Sequence, residues 1–197
     1  MAAKPPKTTN LPVMAFSSKK EWAEWLEKNY ANGAGVWLRL AKKGSGETSV
    51  SYNDAVEVAL CHGWIDGQLK AQDGRFYLQR FTPRSGRSIW SMVNKGKALA
   101  LIESGEMRKG GHEAIEVAKA TGRWEEAYDS SEKAEVPEDF RAALKGNPLA
   151  TEFFSSLDRA NRYAVLFRIQ TAGAGERRAL KISQLVLMLE RGEKFHP

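Results

Sequence analysis

The stretch WIDGQLKAQDGRFYLQRFT, residues 64–82, constrains the fold most. It holds two strand-like runs joined through Asp73-Gly74, the dipeptide favoured in tight primed hairpin turns. A turn centred on those two residues pairs Asp66 with Phe81, Gly67 with Arg80 and Leu69 with Leu78. Ile65, Leu69, Phe76 and Leu78 then share an apolar face. Trp64, Asp66, Gln68, Lys70, Tyr77, Gln79 and Phe81 share the other, which mixes aromatic rings with hydrogen-bonding groups as a binding surface does.

Upstream, GVWLRLAKK alternates Val36, Leu38 and Leu40 against Trp37, Arg39 and Ala41, the signal of a third strand. Two helices precede and follow it. Ser18 with Glu21 and Ser51 with Asp54 are capping-box pairs. Trp22, Trp25 and Leu26 fall on one face of the first helix, and Ala55, Val58, Ala59 and His62 on one face of the second. Gly63 suits the left-handed residue after a helix end. After Pro83 every periodic segment reads as helix: Ser88 to Glu103, closed by Gly105, then GHEAIEVAKATG, VPEDFRAALKG with Pro137 in its first turn, NPLATEFFSSL, DRANRYAVLFRIQTAG and a last one carrying Ile182, Leu185, Val186 and Leu189. The glycines of GSGE and KGG read as loop. The pattern predicts an α+β chain, with a small antiparallel sheet and helices in the N-terminal part and an all-helical C-terminal part. Its expected parts are a flexible lead (1–15), an α+β region (16–127) and a helical region (128–197), the last opening on the polar stretch YDSSEKAEV.

The net charge of +6 is concentrated in the first half of the chain. Between Lys70 and Lys97 seven basic residues face a single acid, Asp73. Such a concentration suits an anionic small molecule or phosphate, with nucleic acid as the other candidate partner. No apolar run is long enough for a membrane span, the N-terminus lacks the apolar core of a signal peptide, and the single cysteine allows no internal disulfide. These features lead to the expectation of a cytoplasmic protein.

The sequence contains no dinucleotide fingerprint, Walker loop or nucleophile elbow, and His62, His112, His196 and Cys61 show no metal-ligand spacing, so no cofactor and no metal are expected. Cys61-His62 with Asp66 four residues later could be a catalytic constellation. Adjacent helical residues point about 100° apart, however, so the pair does not naturally meet, and a buried structural thiol is the default for a lone cysteine on an apolar helix. The stronger candidate is RFTPRSGRSIWSMVNKGK, residues 80–97. Arg84, Arg87 and the free N–H groups of a helix starting near Ser88 would form an anion site, with Trp90, Asn94 and Lys97 along one side of that helix.

VWLRLAKK…SVSYNDAVEVALCHGWIDGQLKAQDGRFYLQRFTPRSGRSIWSMVNKGKALALIESGEM resembles the N-terminal part of the YdeI/OmpD-associated, bacteriocin-protection proteins. GRWEEAYD and VPEDFRAALKGNPLATEFFSSLDRANRYAVLFRIQTA resemble the rest, including its helical OmdA-type region. The likeness covers roughly residues 20–195 and is carried by Cys61, Gly63, Trp64, Asp66, Pro83, Arg84, Trp90, Ser91 and Asn94. The slot of His62 is commonly aromatic in the family, which argues against a base there. TAGAGERRALKI departs from the family's more basic C-terminal pattern by Gly173 for Lys, Arg177 for Thr and Leu180 for Arg, while Arg178 and Lys181 remain. The resemblance implies a stress-resistance link to bacteriocins or antimicrobial peptides, and no reaction, cofactor, catalytic residue or protein partner. The preferred expectation is a non-enzymatic protein holding an anionic ligand through Trp64, Asp66, Arg80, Arg84, Arg87, Trp90 and Asn94. Alternatives are an enzyme using Cys61 or Asp66, and a nucleic-acid-binding module.

Overall fold

A computed structural model describes residues 11–31 and 33–197; residues 1–10, most of the expected lead, lie outside the described residues. The described residues form two compact units, one comprising those up to Ser88 with Asn94–Gly122, the other Ile89–Val93 with Arg123–Pro197. The architecture is α+β, as the patterning predicts.

In the first unit, β1 (Val13–Met14), β2 (Val36–Ala41), β3 (Trp64–Ala71) and β4 (Phe76–Pro83) form one sheet in the order β1-β2-β4-β3. β1 lies within the segment expected to be lead, and it pairs parallel to β2, so the sheet is mixed and not purely antiparallel. The hairpin register holds at Trp64↔Pro83, Ile65↔Thr82 and Asp66↔Phe81, then shifts by one residue through an irregularity between Asp66 and Leu69. The cause is the turn. Gly74 does not take positive φ; instead the Asp73 carboxylate accepts from the N–H groups of Arg75 (2.7 Å) and Phe76 (2.8 Å), widening the connection. A one-residue slip exchanges faces, so Leu69 leaves the face of Ile65 and is 65% exposed opposite Gln79. Buried Gln79 donates to the Gly67 carbonyl (2.8 Å), satisfying a backbone group that the irregularity takes out of the ladder.

Helices α1 (Lys19–Asn29) and α2 (Tyr52–Cys61) begin at the expected caps, where Ser18 and Ser51 Oγ accept from the N–H of Glu21 and Asp54. Glu21 reaches back to Ser17 instead of to the cap residue. Trp22, Leu26, Ala55 and Ala59 bury against Val36, Leu38, Leu40, Trp64 and Phe81. Trp22 stacks on Trp25 (5.5 Å, 11°) and meets Trp64 and Phe81 edge-on. The indole N–H groups donate to the carbonyls of Ala55 (Trp22, 3.1 Å) and Tyr30 (Trp64, 3.0 Å), so both rings are buried without losing a hydrogen bond.

α3 covers Met92–Glu103 and α4 Lys109–Ala120, so two expectations need correcting. The helix expected from Ser88 begins at Met92, because Ser91 bridges Tyr128 in extended backbone and Ser88 Oγ accepts from Ser85 N–H in a turn. KGG is no loop: Lys109-Gly110-Gly111 is the first turn of α4.

In the second unit, α5 (Glu138–Lys145), α6 (Pro148–Ser156), α7 (Arg159–Gln170) and α8 (Glu176–Glu190) enclose Phe140, Phe154, Val165, Ile169, Ile182, Leu185 and Leu189. Pro137 is the cap of α5, one position ahead of the first turn. Asn147 caps α6, whose first residue is Pro148. Arg178, one of the basic residues kept near the C-terminus, grips Asp139 at 2.6 and 3.1 Å and donates to the Ile169 carbonyl. Those hydrogen bonds hold the Asp139 carboxyl below its ordinary range, so the pair is charged at neutral pH.

Candidate functional site

The end of α2 organises a region where two of the expected site residues, Trp64 and Arg84, come together. A helix C-terminus leaves carbonyls without partners. Here Arg108 N–H donates to the Cys61 carbonyl (3.1 Å) and Arg84 N–H to that of Gly63 (2.8 Å). These bonds hold the end of β4 and the start of α4 against the end of α2. The approach is closer than any side chain permits. Gly63 has φ +74°, and a Cβ there would sit 2.3 Å from the Gly110 oxygen; one on Gly111 would sit 2.5 Å from the Cys61 oxygen.

A cleft of about 470 Å³ opens on this junction, walled by Tyr30, His62–Trp64, Pro83–Gly86 and the inner side of α4. Its charged side chains are Arg84, Lys109 and Glu113. Lys109 and Glu113 approach only to 3.8 Å and are largely exposed, a pair that holds Lys109 weakly. The first turn of α4, whose Lys109 and Gly110 line the cleft, has no side-chain cap. The opposing negative end of α2 is spent on the two backbone bonds above.

Of the seven expected residues, Trp64 and Arg84 both line this cleft. Trp64 does so while 0% exposed, its ring edge lying on Gly33 and its faces within the tryptophan cluster. Asp66 accepts from Tyr52 Oη (2.7 Å) at the foot of α2. Arg80 stands on the opposite side of the sheet, reaching Gln68 at 3.4 Å. Arg87 is exposed in the 85–88 turn, and its N–H donates to Ser85 Oγ. Asn94 is in the first turn of α3. Trp90 belongs to the second unit, 2% exposed and edge-on to Trp124 at 4.8 Å. Since α3 starts at Met92, the expected meeting of Arg84 and Arg87 with helix N–H groups at Ser88 does not form. Lys109, Gly110 and Glu113 were outside the expected set. Paired glycines at the start of an amphipathic helix, instead of at its end, were the available signal.

Cys61, His62 and Asp66 do not assemble. His62 is buried, with Nδ1 2.8 Å from the Val58 carbonyl and Nε2 3.0 Å from the Glu27 carboxylate, so both ring nitrogens are already engaged within the fold. Burial, aided by the negative charge of Glu106, pushes the Cys61 thiol up to about 11. At about pH 8 the thiolate fraction is then on the order of 100-fold below that of an ordinary thiol. We expect a disulfide reagent to leave Cys61 unmodified in the native protein and to titrate one thiol at once in guanidinium. Rapid native labelling would restore the cysteine to consideration as a nucleophile.

Among the described residues no group of three His, Cys, Asp or Glu side chains is placed to hold a metal ion, and no helix is long and apolar enough to cross a membrane. Compared with known proteins, residues 14–114, more than half of the chain, match the family described as "Domain of unknown function (DUF8412)". Residues 133–192 match "Bacteriocin-protection, YdeI or OmpD-Associated" (OmdA). The N-terminal likeness is thus to a separate family description, and the OmdA match is confined to the helical region. No curated protein and no solved structure matches the chain.

Proposed function

Because the chain belongs to the DUF8412 family and carries a YdeI/OmpD-associated OmdA region behind that domain, we propose that it is a non-enzymatic binding protein whose N-terminal unit holds a small anionic ligand in the cleft at the end of α2. The observation that carries this reading is the convergence of Arg84, Lys109 and the uncapped start of α4 on one cavity, against the single carboxylate of Glu113. Arg84 grips the anion with its planar fork, Lys109 adds a point charge, and Ser85 orients a ligand oxygen. The Cys61 thiol, held protonated by burial, takes no part. The cytoplasm expected from the sequence suits such a role, and protection from bacteriocins, which the OmdA description names, would follow from sequestering or sensing the ligand.

The test is a titration with inorganic phosphate and with nucleotides, followed by intrinsic fluorescence and calorimetry. Lys109 is exposed, so Lys109→Ala should leave the melting temperature unchanged while weakening binding by about 5–10-fold, the worth of one charge-assisted hydrogen bond. Glu113→Gln should tighten binding. Equal affinities in both variants, or no saturable signal from any anion, would remove the cleft as the site.

A further inference from the structure

We propose that the face of the sheet turned away from α1 and α2 binds single-stranded nucleic acid. This is a second site, separate from the cleft. The helices lie against the face carrying Trp64 and Phe81. The register places on the other face Trp37, Arg39 and Ala41 from β2, Phe76, Leu78, Arg80 and Thr82 from β4, and Ile65 and Lys70 from β3. Three cations therefore stand among rings and aliphatic groups, and the one acid in these strands, Asp66, points to the helical side.

The arginines are arranged unusually for a solvated surface. The Arg39 guanidinium lies over the Phe76 ring, 4.2 Å from its centroid, so that one flat side is covered. Arg80 stands directly opposite Trp37. The Nε atoms of both arginines are buried and have no hydrogen-bond partner among the described residues. A buried donor left unmade is costly, so each calls for an explanation, of which a bound ligand reaching the same guanidinium is one. Neither Arg39, Arg80 nor Lys70 takes part in an ion pair among the described residues.

The chemistry selects the occupant. Phosphate oxygens satisfy unpaired guanidinium donors, and bases stack on indole rings and guanidinium planes, which is how proteins hold single strands on open sheets. A flat face has no element to enter the groove of a duplex. Residues 1–10 contain Lys4 and Lys7 and no acid, and a second copy would set arginine on arginine, so like charge disfavours both as covers.

The full-length chain should bind labelled oligothymidylate and oligouridylate in fluorescence anisotropy. Three neutralised phosphates give a log–log salt slope of roughly −2, so affinity should fall on the order of 10–20-fold between about 50 and about 200 mM salt. Arg39→Gln and Lys70→Glu should each weaken binding several-fold and flatten the slope, and Trp37→Leu should weaken it about 10-fold or more through lost stacking. Lys70 is exposed, so its variant reports even if changes at Arg39 or Trp37 unfold the sheet. Lys109→Ala should leave oligonucleotide binding intact, which separates this site from the cleft. The proposal falls if no oligonucleotide binds, if polyglutamate competes as well as oligothymidylate, or if Lys109→Ala abolishes binding while Lys70→Glu does not. It falls equally if a concentration-dependent dimer, lost in Lys70→Glu, covers the face.

Discussion

Gly63→Ala should cost roughly 2–5 kcal/mol, a large share of the stability of a typical domain. Two penalties add. The residue holds φ +74°, where an L side chain is strained by about 1–2 kcal/mol, and its Cβ would meet the Gly110 carbonyl oxygen at 2.3 Å, rigid backbone that cannot yield as a side-chain tip would. Gly96→Ala is the control. It lies inside α3 with nothing within 4 Å of the new Cβ and should stabilise by about 0.5–1 kcal/mol through helix propensity alone. Urea denaturation of the three proteins, followed by tryptophan fluorescence, measures both signs. A Gly63→Ala protein as stable as the parent would mean that the backbones of α2 and α4 do not touch, and the cleft built on that contact would lose its floor.

Gly63 was legible in the sequence because a glycine after an apolar helical run has one common use. The same holds for Ser18 and Ser51, whose hydrogen bonds are local and whose spacing identifies them. The strand alternation of Val36–Ala41 was legible too, since one face is buried. What escaped was set by contacts distant in sequence. The hairpin register depended on the Asp73 carboxylate taking two N–H groups, a competition that the dipeptide Asp-Gly does not decide. The start of α3 depended on Tyr128 holding Ser91 extended, a partner more than thirty residues away. The site suffered most. Charge and aromaticity grouped Trp64, Arg80, Arg84 and Trp90 because they are near in sequence. Side alternation then sent Arg80 across the sheet, and Trp90 paired with Trp124 in the other unit. Lys109 was missed because only the Gly110-Gly111 contact with α2 brings it to the cleft.

Trp64→Ala should cost about 3–5 kcal/mol, an effect on the fold before any on ligand binding. The ring is fully buried, meets Trp22 at 6.4 Å and Trp25 at 6.0 Å nearly edge-on, and rests its outer edge on Gly33, whose added Cβ would stand 2.7 Å away. Truncation leaves a cavity bounded by two large rings and a backbone segment, none of which collapses easily. It also deprives the Tyr30 carbonyl of its indole donor, at about 1 kcal/mol. Trp64→Phe separates the two contributions, since it keeps most of the packing and loses the hydrogen bond; its expected loss is about 1–2 kcal/mol. In that variant the affinity for phosphate in the cleft should match the parent's, because Arg84 and Lys109 carry the charge. Denaturation midpoints and a phosphate titration on the Phe variant decide the matter together. Unchanged stability with lost binding would make Trp64 a ligand-stacking surface, and the core of the first unit would then have to be anchored elsewhere than on this ring.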